Sequence, residues 1–259
     1  MMLEKFQVYM SSFKQDRMIR VYLPESYHES HKCYPVLYMH DGQNVFEDEG
    51  AIKGVSLGLK DYLEEKKVEI IVVAIDLNPE GEERINEYCP WKNGAIAEKI
   101  IGQPSFSGGR GEQYLAFIVN ELKPLIDDKY RTIHEHTSMA GISLGGLIST
   151  YAACRYPQIF KRIAAISPGY YRNQEELEVF VRNSDLSEIE KFYMDFGTHE
   201  IRDDEELNNH FTDMIQSIYE IVSSKIVDTR FETIQNGEHN YTSFKKRIGE
   251  VLSYLYSDL

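Results

Sequence analysis

An alternation constrains this chain more than any other feature. Short apolar runs recur at Pro35–His40, Glu69–Ile75, Thr137–Gly141, Arg162–Ser167, Phe192–Phe196 and Thr229–Ile234. They read as buried strands, the second of them rich in β-branched residues. Between them lie segments with helical character: Gly54–Lys67, Gly111–Asp127, Leu144–Arg155, Glu205–Val222 and Tyr241–Tyr256. The last places apolar residues at 244, 248, 251, 252 and 255, and the second at 115, 118, 122, 125 and 126. Pro124 falls inside that second pattern and should kink or restart the helix there. Phe6–Met10 and Ile19–Leu23 alternate apolar with polar residues and read as antiparallel strands ahead of the rest. Strands alternating with helices imply an α/β fold: a mostly parallel central sheet of about eight strands with helices on both faces. No repeat or composition break divides the 259 residues, so one domain over 1–259 is expected. Ligands of such sheets bind beyond the carboxyl ends of the strands.

One turn in this pattern carries chemistry. Gly141-Ile-Ser143-Leu-Gly145-Gly146 follows an apolar strand and opens an apolar helix. This is the Gly-x-Ser-x-Gly nucleophile elbow of α/β hydrolases, in which a serine on a strained strand-to-helix turn projects its hydroxyl from the sheet. Side chains at 141 and 145 would collide with the neighbouring strand or helix. The helix that starts there aims its first N–H groups at a developing oxyanion. Ser143 is the expected nucleophile.

On this fold the acid and then the histidine follow the serine along the chain. His210 sits mid-helix and reads as a surface residue, whereas His239, in Asn236-Gly-Glu-His239, falls between the last strand and the last helix. A neutral imidazole at 239 could take the serine proton and return it to a leaving alcohol. His134 and His136 precede the serine and read as a solvated loop. His40 ends its strand and orders the turn after it. The acid belongs at the end of the fifth buried strand, Asp195-Phe-Gly197-Thr-His-Glu200. Glu200 is the leading candidate, with Asp195 and Asp203 as rivals, since only reach to the imidazole decides.

The Leu144 N–H is one expected oxyanion donor. The other comes from His40-Asp41-Gly42-Gln43-Asn44, from either Gly42 or Gln43, the glycine allowing close approach of backbone to substrate. Two long polar stretches, 77–110 and 168–188, should overhang the strand ends, and loops that long are usually functional. Arg84, Tyr88, Trp91, Tyr170 and Tyr171 are their candidate wall residues; the aromatics would suit an aromatic or sugar-like group, although single aromatics in loops more often pack locally, and no specific contact is assigned.

Composition excludes several other functions. With 28 basic against 42 acidic residues the net charge is −14, which repels nucleic acids and anionic membrane surfaces. The most apolar stretch, Ile70–Ile75, is too short to span a bilayer, and MMLEKFQVYM has no apolar core of a signal peptide. Three scattered cysteines, Cys33, Cys89 and Cys154, fit a reducing compartment, so a cytoplasmic location is expected. None has zinc-ligand spacing, and His134 with His136 lacks a third ligand, so no metal and no cofactor are expected. Cys154 reads as a small core residue. The expected partner is a small-molecule ester; a homo-oligomer is left open.

The chain resembles the Putative esterase family of the α/β-hydrolase superfamily, which includes esterase D-like enzymes, feruloyl and acetyl-xylan esterases, and enterochelin (siderophore) esterases. The resemblance rests on Tyr38-Met-His-Asp-Gly-Gln-Asn-Val-Phe46, Asn86-Glu-Tyr-Cys-Pro90, Gly141-Ile-Ser-Leu-Gly-Gly146, Gly197-Thr-His-Glu200 and Gly237-Glu-His239, in family order. It implies Ser143 as nucleophile, His239 as base and Glu200 at the acid position, where many relatives carry Asp. It also implies a serine ester hydrolase acting through an acyl-enzyme. No export signal like those of the secreted polysaccharide esterases, and no counterpart of the extra N-terminal domain of the siderophore esterases, is expected from this sequence.

Overall fold

The computed structural model describes residues 2–103, 105–201 and 204–258. In chain order its elements are β1 (Met2–Met10), β2 (Gln15–Leu23), β3 (Tyr34–His40), α1 (Leu59–Lys66), β4 (Ile71–Ile75), α2 (Glu83–Tyr88), α3 (Ala95–Ile101), α4 (Gly111–Phe117), α5 (Lys123–Lys129), β5 (Thr132–Ile142), α6 (Leu144–Arg155), β6 (Phe160–Ile166), α7 (Gln174–Asn183), β7 (Lys191–Gly197), α8 (Glu205–Ser223), β8 (Thr229–Ile234) and α9 (Tyr241–Leu255). The strands form one eight-stranded sheet in the order β1-β2-β4-β3-β5-β6-β7-β8. β1 pairs antiparallel with β2 and β2 antiparallel with β4; every later pairing is parallel. This is the α/β-hydrolase fold.

The apolar runs are continuous because helices cover both faces of the sheet. Val36 and Tyr38 of β3, with Ile71, Val73 and Ile75 of β4, face one core, completed by Leu115 of α4, Leu147 and Ile148 of α6, Leu177 of α7 and Ile215 and Ile218 of α8. Leu37, Met39, Val72 and Ala74 face the other, closed by Leu59 and Leu63 of α1 and by α9. α9 buries Phe244, Ile248, Val251, Leu252 and Leu255, and among them Arg247. Burying each such apolar side chain stabilises by roughly 1.5–3 kcal/mol. That sum exceeds the several kcal/mol that desolvating one paired guanidinium costs.

Each expected strand is present. The helices differ in detail, for local reasons. Gly54 ends a short 3-10 turn and residues 55–58 are not helical: Gly54 and Gly58 have φ of +70° and +61°, so α1 starts only at Leu59. A π-helical turn at Ile118–Leu122 separates α4 from α5, one turn ahead of Pro124, which lacks the N–H needed to continue the ladder. The stretch 77–110 carries the short helices α2 and α3, and 168–188 carries α7. His134 and His136 lie inside β5, which begins at Thr132, and not in a loop. Cys154 is a buried residue of α6.

Parallel register lines up the carboxyl ends of the central strands. Gly141 pairs with Ala165 and Ile166 with Asp195. The residues just beyond β3, β5, β6 and β7 therefore emerge along one edge.

Candidate active site

Ser143 leaves β5 and heads α6 with φ 59° and ψ −121°, a conformation that costs a non-glycine residue on the order of 1–3 kcal/mol. The backbone around it is over-determined. The Ser143 N–H donates to the Ile166 carbonyl at 3.0 Å, and the Ser143 carbonyl accepts from Gly146 and Gly169, each at 2.9 Å. Gly141 is a strict steric requirement and Gly145 a mild one. A Cβ on Gly141 would lie 2.3 Å from the Gly145 backbone, and one on Gly145 would lie 3.3 Å from the His40 Cβ.

His239 enters from the other side of the same edge. It sits directly before Asn240, which caps α9 by accepting the Ser243 N–H at 2.9 Å. The imidazole Nδ1 lies 2.5 Å from Glu200 Oε2, and its ring meets Phe244 edge-on at 5.3 Å between centroids. The histidine side chain is 40% exposed and that of Glu200 1%. Burial alone would push the Glu200 carboxyl up, but His239, Ser167 and Arg247 together outweigh it and hold it below the ordinary glutamate value. Its Oε1 accepts from the Gly197 N–H at 2.9 Å and from the Ser167 hydroxyl.

Asp195, a rival for the acid, makes no contact with His239 among the described residues; it accepts from the Ser167 N–H at 2.9 Å, the Tyr193 hydroxyl at 3.0 Å and Arg247 Nη2 at 3.2 Å, with Arg247 Nε 3.0 Å away as an ion pair. Burial pushes its carboxyl up to about 6. Asp203, the other rival, lies outside the described residues.

The turn after β3 stands across from the elbow. Asp41 is left-handed, φ 58°, and three contacts hold it there. Its N–H donates to the Tyr88 hydroxyl at 3.1 Å, and its carboxylate takes Arg84 Nε at 2.7 Å and Nη2 at 2.8 Å. Beneath it, buried His40 shares a hydrogen bond of 2.9 Å with the Tyr114 hydroxyl, and burial lowers its pKa to about 4, so it stays neutral. Gly42 and Gln43 open a 3-10 turn in which the N–H groups of Asn44 and Val45 bond back to Asp41 and Gly42. Those of Gly42 and Gln43 have no acceptor among the described residues. The reason for glycine at 42 differs from the expectation. A Cβ there would strike Ala74 and Asp76 at 2.7–2.8 Å, so the missing side chain makes room for the end of β4 and not for a substrate. The Leu144 N–H, at the free start of α6, likewise has no acceptor among the described residues.

Ser143, His239, Asp41 and Arg84 line one cavity of about 360 Å³, whose apolar wall is Ile52, Val55, Leu77, Ile142 and Phe244. Asn44 ties that wall together, donating to the Tyr241 hydroxyl at 2.9 Å and accepting the Ile52 N–H at 2.7 Å. Of the aromatic wall residues expected from the long connections, none lines it. Tyr88 is buried below Asp41; Trp91 stands edge-on to Tyr151 and Phe180; Tyr170 is buried with its hydroxyl on Thr150; Tyr171 meets Phe211. Only Arg84 of that group reaches the cavity. A larger hollow of about 1050 Å³ between α3 and α8 is acidic and takes in His210, but none of Ser143, Glu200 or His239.

The residues that sequence reading missed are Ser167, Arg247 and the 52–55 wall. Arg247 gave one signal: a basic residue three positions after Phe244 and four before Val251, on the buried stripe of α9. No group of three or more metal-ligating side chains occurs among the described residues, and no described helix is long and apolar enough to cross a membrane.

The chain matches the sequence profile of the family described as Putative esterase over residues 10–255. It is 28% identical over 248 residues to the uncharacterized protein YbbA of Bacillus subtilis (strain 168), covering 93% of each chain. Among solved structures, the siderophore hydrolase EstA from Aspergillus nidulans superposes with a TM-score of 0.78 at 18% identity, over 98% of this chain and 95% of that one. An IroE-like serine hydrolase from Shewanella oneidensis gives 0.77 at 18% identity, over 98% and 79%. Those superpositions carry the fold alone. The profile match spans nearly the whole sequence, and the chain belongs to the Putative esterase family.

Proposed function

We propose that this chain is a serine carboxylic ester hydrolase that works through an acyl-enzyme, with Ser143 as nucleophile, His239 as base and Glu200 as acid. The observation that carries this reading is the arrangement around one cavity. A serine on a strained elbow and a histidine bonded at 2.5 Å to a buried carboxylate both line it.

The chemistry runs as follows. His239 takes the Ser143 proton as Oγ attacks the ester carbonyl. The negative charge that develops on the carbonyl oxygen is met by the Leu144 N–H and by that of Gly42 or Gln43. Glu200 stabilises the imidazolium, which then protonates the departing alcohol. A water, deprotonated by the same imidazole, releases the acid and regenerates Ser143. No cofactor is needed for either half.

A cavity of about 360 Å³ with an aliphatic and Phe244 wall suits a small acyl group or a short aromatic acid. Siderophore-type esters are the second reading, because a siderophore hydrolase shares the fold at a TM-score of 0.78. Thioesters and acyl transfer could use the same three residues, since the pocket chooses leaving group and acceptor. Ester, thioester and amide substrates sharing one acyl group separate these alternatives. The direct test is p-nitrophenyl acetate turnover, which Ser143→Ala should reduce by at least about 10³-fold. Equal turnover by the variant removes the proposal, and a folded wild type inert to every substrate favours a binding protein on this fold.

A further inference from the structure

Behind Glu200 lies a charge arrangement that the acyl-transfer steps do not themselves use. Two carboxylates, Asp195 and Glu200, are withdrawn from solvent, with side-chain exposures of 0% and 1%. Both face the same serine: Ser167, itself left-handed at φ 42°, donates its N–H to Asp195 and its hydroxyl to Glu200 Oε1. Two like charges sharing a dry site cannot both remain ionised without a counter-charge. The counter-charge is Arg247, whose side chain is 5% exposed. Its Nε stands 3.0 Å from Asp195 Oδ2, and its Nη2 donates to Ser167 Oγ at 2.5 Å and reaches Glu200 Oε1 at 3.5 Å. The Phe244 ring lies under the guanidinium at 4.9 Å and at the edge of His239.

We propose that Arg247 is a positioning residue for the catalytic histidine: by neutralising Asp195 and polarising Ser167, it keeps Glu200 ionised with Oε2 free to accept from His239. The inference rests on the reading of Ser143, His239 and Glu200 given above. The other groups facing this pair are accounted for. Tyr193 donates its hydroxyl to Asp195, Gly197 donates its N–H to Glu200, and His199 is bonded to Thr198. Glu232, the register neighbour of Asp195 on β8, is paired with Arg230 at 2.6 Å. Without Arg247, nothing else among the described residues supplies a positive charge to the two carboxylates apart from His239 itself. The pair would then hold a proton near neutrality, and where that proton occupies Glu200 the imidazolium loses its partner. The upward displacement of Asp195 that burial already causes points the same way.

The test is a double-mutant cycle read by the pH profile of kcat/KM with an ester substrate. Arg247→Met should lower kcat/KM at pH 7 by about 30-fold and move the acid limb up by about one pH unit. Adding Asp195→Asn removes the competing charge and should restore both to within about fivefold and about half a unit. Arg247→Lys, which keeps a charge, should hold the limb near its wild-type place and covers the case in which the Met variant does not fold. A Lys variant displaced as far as the Met variant overturns the proposal. So does a double variant no better than Arg247→Met, which is what a merely structural role predicts. Ser143→Ala run alongside separates the two failures. If it retains turnover, the enzymatic reading is wrong; if it is dead while the Arg247 arms go the other way, only this inference falls.

Discussion

The two sides of the cavity are built by different means. On the Ser143 side geometry comes from backbone and from missing side chains: a left-handed residue, backbone hydrogen bonds to Gly146, Ile166 and Gly169, and glycines at 141 and 145. On the His239 side it comes from side chains gathered across the sheet: Glu200 from beyond β7, Ser167 from beyond β6 and Arg247 from α9, up to 80 positions apart. The first side is steric and built from backbone, the second electrostatic and built from side chains. They should therefore break differently: one by losing the fold, the other by losing activity in a pH-dependent way.

The largest expected effect tests the electrostatic side. Glu200→Gln keeps the shape but removes the charge that stabilises the imidazolium, so kcat/KM should fall by about 10³-fold with the melting temperature little changed. A fall below tenfold would mean another carboxylate serves His239. On the steric side, Gly141→Ala forces a Cβ to within 2.3 Å of the Gly145 backbone. It should destabilise by about 3 kcal/mol, or roughly 6–12 °C in melting temperature. An unchanged melting curve would show that the elbow is looser than its contacts imply.

The Asp41 turn mixes both devices and should respond between them. Arg84→Met strips the bidentate partner from a left-handed aspartate and should lower kcat/KM by about tenfold through the turn that carries the Gly42 and Gln43 N–H groups. Hydrolysis of a neutral ester reads this without a charge effect from the substrate. The smallest effect concerns Asp195, whose folded value of about 6 stands above its ordinary 3.8. The native state thus binds this proton more tightly than the unfolded chain, and the contribution of Asp195 to stability declines as pH rises from about 4 to about 6. Asp195→Asn should gain on the wild type by on the order of 1 kcal/mol between pH 4.5 and 6.5 in urea unfolding. A gap that narrows with rising pH would reverse the assignment.

The same division explains what was readable in the sequence. All eight strands were, because burial on both faces writes itself as continuous apolar runs. The Ser143 elbow was legible because its requirements fall within six consecutive residues. The loop placing His239 was legible from element order alone. Glu200 could be named the leading acid ahead of Asp195, which lies inside β7, but not separated from Asp203, since both follow β7 and only reach to the imidazole decides. The cavity wall was not legible. Aromatics in the long connections offered either a ligand wall or local packing, and the structure takes the second: Trp91 packs on Tyr151 of α6 and Phe180 of α7, and Tyr170 bonds Thr150 of α6. Residues 52–55 are tied to the cavity by the hydrogen bond from the Ile52 N–H to Asn44, which no local pattern encodes.

The most direct test of the central claim is chemical. The folded protein is treated with a fluorophosphonate, digested, and the adduct located by mass spectrometry. One phosphonate per chain on the peptide containing Ser143, absent from His239→Ala within the same exposure time, is the predicted result. An adduct on any other residue, or equal labelling without the imidazole, would contradict it.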